Sequence, residues 1–402
     1  MFNHLPKLKT FCSRLKIIFD RVSITSLVHD IIIQVIIMKI AKIIKVLEDF
    51  TPLHLQESYD NSGLLTGSID WEVHGVLCTL DVTEEVVDEA ASYGANLIVA
   101  HHPVIFNALR SITGKTYNER TLIKAIKKDV AIYAAHTNLD NVYTGINKII
   151  CEKLGLLNCR ILNKGEGMLV KLVTFVPADH AEKVRNALFA SGAGHIGNYD
   201  SCSYSIEGTG SFRGGENTNP FVGKKGKLHF EDEVRIETII PKAKLDQCII
   251  DMLKAHPYEE VAYDVYPLEN EFDKVGAGMS GEFKQPVSHK NFMELLKATF
   301  KCPVIRYAGK IKKEYRRISV CSGTGGFLLQ KAIHNKSDAF ITSDIKYHQF
   351  FEAEQKLLFC DVGHYESEQF AKEIFYNLLI KNFSTFAVHL SRVVTNPVNY
   401  YI

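Results

Sequence analysis

The chain predicts an α/β fold made of two related halves forming one layered unit, with an α+β block of ferredoxin-like order inserted between them. Short apolar runs alternate with amphipathic charged stretches near both ends of the sequence, and the middle third breaks that rhythm. The composition is globular: 402 residues, 46% apolar and 23% charged, with eleven prolines and no long polar tract. A chain of this length exceeds what one hydrophobic core supports, so more than one domain is expected.

Residues 1–37 differ from the rest. Lys7, Lys9, Arg14, Lys16 and Arg21 oppose only Asp20 and Asp30. The apolar stretch IIIQVII ends too soon for a membrane span of about twenty residues, and no small-residue cleavage site follows it. This segment reads as an N-terminal extension outside the fold, with Met38 as the natural start, or else as a targeting or docking arm.

The first half is expected over 38–167. MKIAKIIKVLEDF spaces Ile40, Ile43, Ile44, Leu47 and Phe50 for one helical face, and Pro52 stops the helix. Strands follow at 75–82, 96–100 and 130–135, separated by helical patterns near 84–93, 118–128 and 145–154. Such alternation predicts a parallel sheet. Thr83 suits an N-cap and Gly94 a helix stop.

The block expected over 168–285 reads strand, helix 178–190, strand, strand, helix 242–255, strand. Its glycine-rich tract through 208–226 has few apolar residues and reads as a mobile hairpin or interface loop. Residues 286–402 resume the α/β rhythm. Strands are expected at 317–321, 338–342, 357–362 and 385–390, with helices near 326–335, 346–356 and 366–381.

Composition also excludes. Forty-seven Lys and Arg against forty-six Asp and Glu give a net charge of +1, so nucleic acid is not an expected partner, and no membrane partner is expected. Nine isolated cysteines without a CxxC suggest neither a disulfide framework nor a cysteine zinc site, which fits a cytoplasmic location.

The candidate chemistry lies in polar turns after apolar strands, where open α/β sheets gather their ligands. AHHPVIF supplies His101 and His102; sixteen histidines make one adjacent pair unremarkable, so the pair alone decides little. AAHTNLDNVYTGIN supplies His136 and Asp140. Asp140 is a hard oxygen donor that complements imidazole nitrogens around a divalent metal, or else a helix N-cap. DVGHYESEQF places His364 and Glu368 four apart on one helical face. ITSDIKYHQF offers Ser343, Asp344 and His348, read with His136 as groups that orient ligands or transfer protons. YDNSGLLTG adds Asp60 and Asn61 in a tight loop. CSGTGGFLLQKA lacks a P-loop lysine, so its glycines read as a tight turn beside the site.

Taken together and in order, YDNSGLLTG, LIVAHHPVIF, AHTNLDNVYTGIN, the ITSD-IKYH turn and VGHYESE resemble the GTP cyclohydrolase I type 2 / Nif-three-like family, over Met38 to Ile402. The resemblance implies a dinuclear centre of divalent metal ions on His101, His102, Asp140, His364 and Glu368, with Glu368 bridging. It also implies a toroidal homohexamer in the family's long form, whose inserted domain is similar to nitrogen-regulatory and copper-tolerance proteins; HPYEEVAYDVYPL carries that likeness. One departure is Ser343, where relatives show glycine. Mixed histidine and carboxylate ligands suit zinc, iron or manganese. The implied function is metal-dependent hydrolysis of a nucleotide or related small molecule; the alternative is a non-catalytic metal-binding regulatory or scaffold hexamer.

Overall fold

The chain is described by a computed structural model over residues 38–401, and the extension read over 1–37 lies outside them. Of the described residues, 38–139 with 368–401 form one compact unit and 140–367 another. None of their helices is long and apolar enough to cross a membrane.

In the first unit, helix α1 (Ile40–Phe50) buries Ile40, Ile43, Ile44 and Leu47, the stripe expected from their spacing. The five-stranded sheet runs β1–β4–β3–β2–β15, from strands β1 (Gly63–Thr66), β2 (Gly75–Thr79), β3 (Leu97–Ala100), β4 (Ala131–Ala134) and β15 (Ala387–Leu390). Strands β15, β2, β3 and β4 are parallel, and β1 closes one edge antiparallel to β4. Every residue of β2, β3 and β4 is buried, because helices cover a parallel sheet and its strands are continuous apolar runs.

Helix α2 (Glu84–Ser92) starts at Thr83, whose hydroxyl accepts from the Val86 amide, and two glutamates occupy its first turn. With α3 (Tyr117–Lys127) it packs Val86, Val87, Leu122 and Ala125 onto Leu77, Ile98 and Ile132. Helix α11 (Ala371–Asn382) packs against β2, β3 and α1. The C-terminal strand β15 therefore extends the first sheet, although it lies within the stretch read from the sequence as the second half.

The second unit holds two sheets. One is six-stranded, in the order β11–β14–β13–β12–β10–β5. It comprises β5 (Leu157–Gly165), β10 (Phe272–Ser288), β11 (Arg306–Gly309), β12 (Glu314–Val320), β13 (Ala339–Thr342) and β14 (Leu358–Asp361). Strands β12, β13 and β14 are parallel, and β11 closes their edge antiparallel, the pattern also seen in the first unit. The helix expected at 346–356 is a 3-10 turn over Tyr347–Ala353, ended by left-handed backbone at Glu354 and Gln355.

The other sheet runs β7–β8–β6–β9, from β6 (Leu169–Pro177), β7 (Ser203–Arg213), β8 (Leu228–Pro241) and β9 (Tyr263–Leu268). Helices α6 (Ala181–Ala190) and α7 (Leu245–Ala255) bury Val184, Leu188 and Met252 against Val170, Leu172, Ile236 and Ile240. The β-α-β-β-α-β order is as read from the sequence. The flanking strands β5 and β10 pair with each other in the six-stranded sheet, so the four-stranded layer occupies 169–268.

Candidate metal centre

Adjacent parallel strands deliver adjacent turns. The backbone of β3 ends in His101 and His102, whose amides both donate to the Leu80 carbonyl, and Ala135, just past β4, donates to Ala100. His101, His102 and His136 consequently converge, each offering a ring nitrogen within 4.8 Å of the others.

Each imidazole is held the same way. Nδ1 of His101 lies 2.9 Å from the Ala135 carbonyl, Nδ1 of His102 lies 2.7 Å from Asp81 Oδ1, and Nδ1 of His136 lies 2.8 Å from Asp60 Oδ1. With an acceptor at Nδ1, that nitrogen carries the hydrogen, so each ring, once any proton on Nε2 has left, offers its lone pair there. That is the tautomer a metal ligand needs, fixed by an outer hydrogen bond. Glu368 brings a carboxylate that is 3% exposed; its oxygens lie 2.8 Å from His102 Nε2 and 3.8 Å from His101 Nε2.

The local field is strongly negative. Burial would lower the His102 pKa, but Asp81 and Glu368 outweigh it and lift the value to about 10. The same carboxylate charge attracts a divalent cation, which binds deprotonated ligands. Burial raises the Asp60 carboxyl, yet hydrogen bonds from His136, Thr137 and Asn61 hold it well below the usual carboxylate range.

In the second unit, Asp140 Oδ1 accepts from Ser322 Oγ at 2.7 Å, and Asn147 ties this turn together by donating to the Asp140 carbonyl and accepting from the Ser322 amide. His364 opens the helical turn α10 (His364–Glu368), and its Nδ1 lies 2.7 Å from Asp344 Oδ2, which also accepts from Thr324. Asp344 is thus a positioning carboxylate, at a left-handed φ of 54°.

The His348 ring is exposed on the 3-10 turn and lies against Tyr347 and Phe351. Ser343 is fully buried and donates to Gly323 O.

The SGTGG loop is filled by its own protein. The Gly323 amide donates to Ser367 Oγ and the Gly325 amide to Thr342 Oγ1, so these groups serve as internal ties. A Cβ at Gly325 would lie 2.4 Å from Cys321 Cβ, which fixes glycine there. Sequence reasoning passed over Asp81. It sits at the end of the strand run GVLCTLDV, and a carboxylate closing an apolar strand beside a histidine-bearing neighbour was the available signal.

The family model Duf34/NIF3 (NGG1p interacting factor 3) matches residues 38–397. A Halalkalibacterium halodurans protein named GTP cyclohydrolase 1 type 2 homolog is 42% identical over 315 residues, covering 77% of this chain and 85% of that one. A Bacillus subtilis protein of the same name is 37% identical over 334 residues, covering 83% and 89%. The crystal structure of a Bacillus cereus protein related to NIF3 superposes with a TM-score of 0.79 at 39% identity, covering 91% of this chain and all of that one. Motif order, fold and whole-length similarity lead to one conclusion: the chain belongs to the Duf34/NIF3 family.

Proposed function

We propose that the protein is a metal-dependent hydrolase of the GTP cyclohydrolase 1 type 2 kind, acting on a nucleotide or related small molecule as a homohexamer. The observation that carries the reading is the trio of imidazoles, each anchored through Nδ1, gathered beside the buried Glu368 carboxylate. Nitrogen and carboxylate donors suit zinc, iron or manganese. In this reading His101, His102, Asp140, His364 and Glu368 would hold two divalent ions. When bound, such a pair supplies Lewis acidity and a water acidified toward neutrality.

The chain's own residues have separate tasks. Asp81, Asp60 and Asp344 hold His102, His136 and His364 in fixed orientations through Nδ1. Burial of His101 and Glu368 keeps bulk water from competing for the donors and strengthens their electrostatics. His136, 17% exposed and backed by Asp60, is the group placed to pass a proton to or from a substrate. The likeness to proteins named GTP cyclohydrolase 1 type 2 homolog supports a purine nucleotide as the first substrate to test. The test is formate release from GTP by metal-loaded protein, set against Glu368→Gln. Turnover lost in the variant supports the reading. A properly assembled, metal-loaded hexamer that turns over neither GTP nor other nucleotides favours a non-catalytic scaffold.

A further inference from the structure

The four-stranded layer of the second unit encloses a cavity of about 410 Å³ far along the sequence from the histidine turns. The glycine-rich tract forms its rim. Read from sequence as a mobile hairpin or interface loop, this tract makes contacts of its own: the Gly226 amide donates to Gly214 O, and the Asn219 amide donates to Glu259 Oε1 at 2.6 Å. Two phenylalanines in the tract add to them. Phe212 and Phe221 lie 6.2 and 6.3 Å from the Tyr258 ring, and with Phe175 they give the cavity aromatic walls.

The charged lining is mostly acidic. Glu233, Glu259 and Glu260 face the cavity, with Arg213 as the opposing charge. Glu233 is aimed by its surroundings. Tyr258 donates its hydroxyl hydrogen to Oε1 at 2.8 Å, and the carboxylate lies flat across the bare backbone of Gly210, where a Cβ would be 2.2 Å from Oε2. The face of Phe175 already attracts a cation, since the Arg235 guanidinium sits 5.9 Å from its centroid.

We propose that this cavity binds a small organic cation, an ammonium group carrying methyl or methylene carbons. Aromatic faces attract such a cation through their quadrupoles and accept its apolar carbons, and an oriented carboxylate supplies the opposite charge. An inorganic divalent ion would gain nothing from the rings, and an anion would meet three carboxylates. The volume is ample for such a cation.

The experiment is isothermal titration calorimetry on the full chain with choline as the probe, its neutral carbon isostere 3,3-dimethylbutan-1-ol, and phenylacetate as the anion. The expected result is one choline per chain, with the isostere weaker by about tenfold, and Glu233→Gln weakening choline by about tenfold at unchanged thermal unfolding. Phe221→Leu, on the exposed rim, is the second variant and weakens choline without threatening the core. Phosphatidylcholine vesicles form a second arm: choline binding without vesicle retention assigns a free amine, and retention competed by choline assigns a headgroup. Equal affinity for choline and its isostere, tighter binding of phenylacetate, or no binding of choline at millimolar concentration overturns the proposal.

Discussion

Replacing Asp60 with asparagine tests whether the first unit is locked around its histidine turn. The wild-type carboxylate is fully buried and meets four donors, His136 Nδ1 and the Asn61 amide on Oδ1 and the Thr137 amide and hydroxyl on Oδ2, while the Ser62 hydroxyl is shared with Asn138 Oδ1. An asparagine has one acceptor oxygen. Whichever way its amide turns, its NH2 faces either the Thr137 amide or both His136 and Asn61, none of which can rotate away. Hydrogen bonds to a charged group contribute about 1.5–3 kcal/mol each, so losing one outright and weakening the others costs about 3 kcal/mol. In a unit of this size that corresponds to a fall of roughly 6–12 °C in unfolding temperature.

The sign of the pH dependence follows from the depressed Asp60 pKa. Its stabilisation is fully present above the unfolded value of about 3.9 and is lost as pH falls through the folded value. Thermal and denaturant unfolding of wild type and Asp60→Asn at pH 7 and in acid is the assay. A difference below about 1 kcal/mol at neutral pH, or one that fails to shrink in acid, would refute the reasoning.

Asp81→Asn leaves an acceptor for His102 Nδ1 but removes the charge behind the ring; metal affinity measured by competitive chelator titration is expected to fall about 10–100-fold with the fold intact by circular dichroism. At Asp338 burial raises the carboxyl, but Lys312 and the amides of Arg316 and Arg317 outweigh it and lower its pKa. Asp338→Asn should cost about 2 kcal/mol at pH 7, with the gap closing as pH falls through the lowered folded value. Chemical denaturation across pH reads that gap, and a constant difference down to acid pH contradicts the assignment.

Much of the fold was legible because parallel strands buried on both faces leave continuous apolar runs, as at Leu97–Ala100 and Leu358–Asp361. The site turns were legible for the same reason, since polar residues ending such runs stand out. The pairing of β15 with β2 was not, because alternation gives the order of elements and not their neighbours. Asp81 was passed over and Asp60 was seen only as part of a tight loop, because a carboxylate that holds a ring through Nδ1 has no spacing rule along the chain. The 3-10 turn at His348 escaped because i to i+3 and i to i+4 patterns of apolar residues look alike over so short a span.

The central claim is that the anchored imidazoles and Glu368 form a metal centre. Metal content per chain by mass spectrometry, on wild type, Glu368→Gln and His101→Ala purified without chelator, tests it most directly. The account predicts near two ions in the wild type and a clear loss in both variants. Near zero in all three, even after zinc, iron or manganese is supplied, would contradict it.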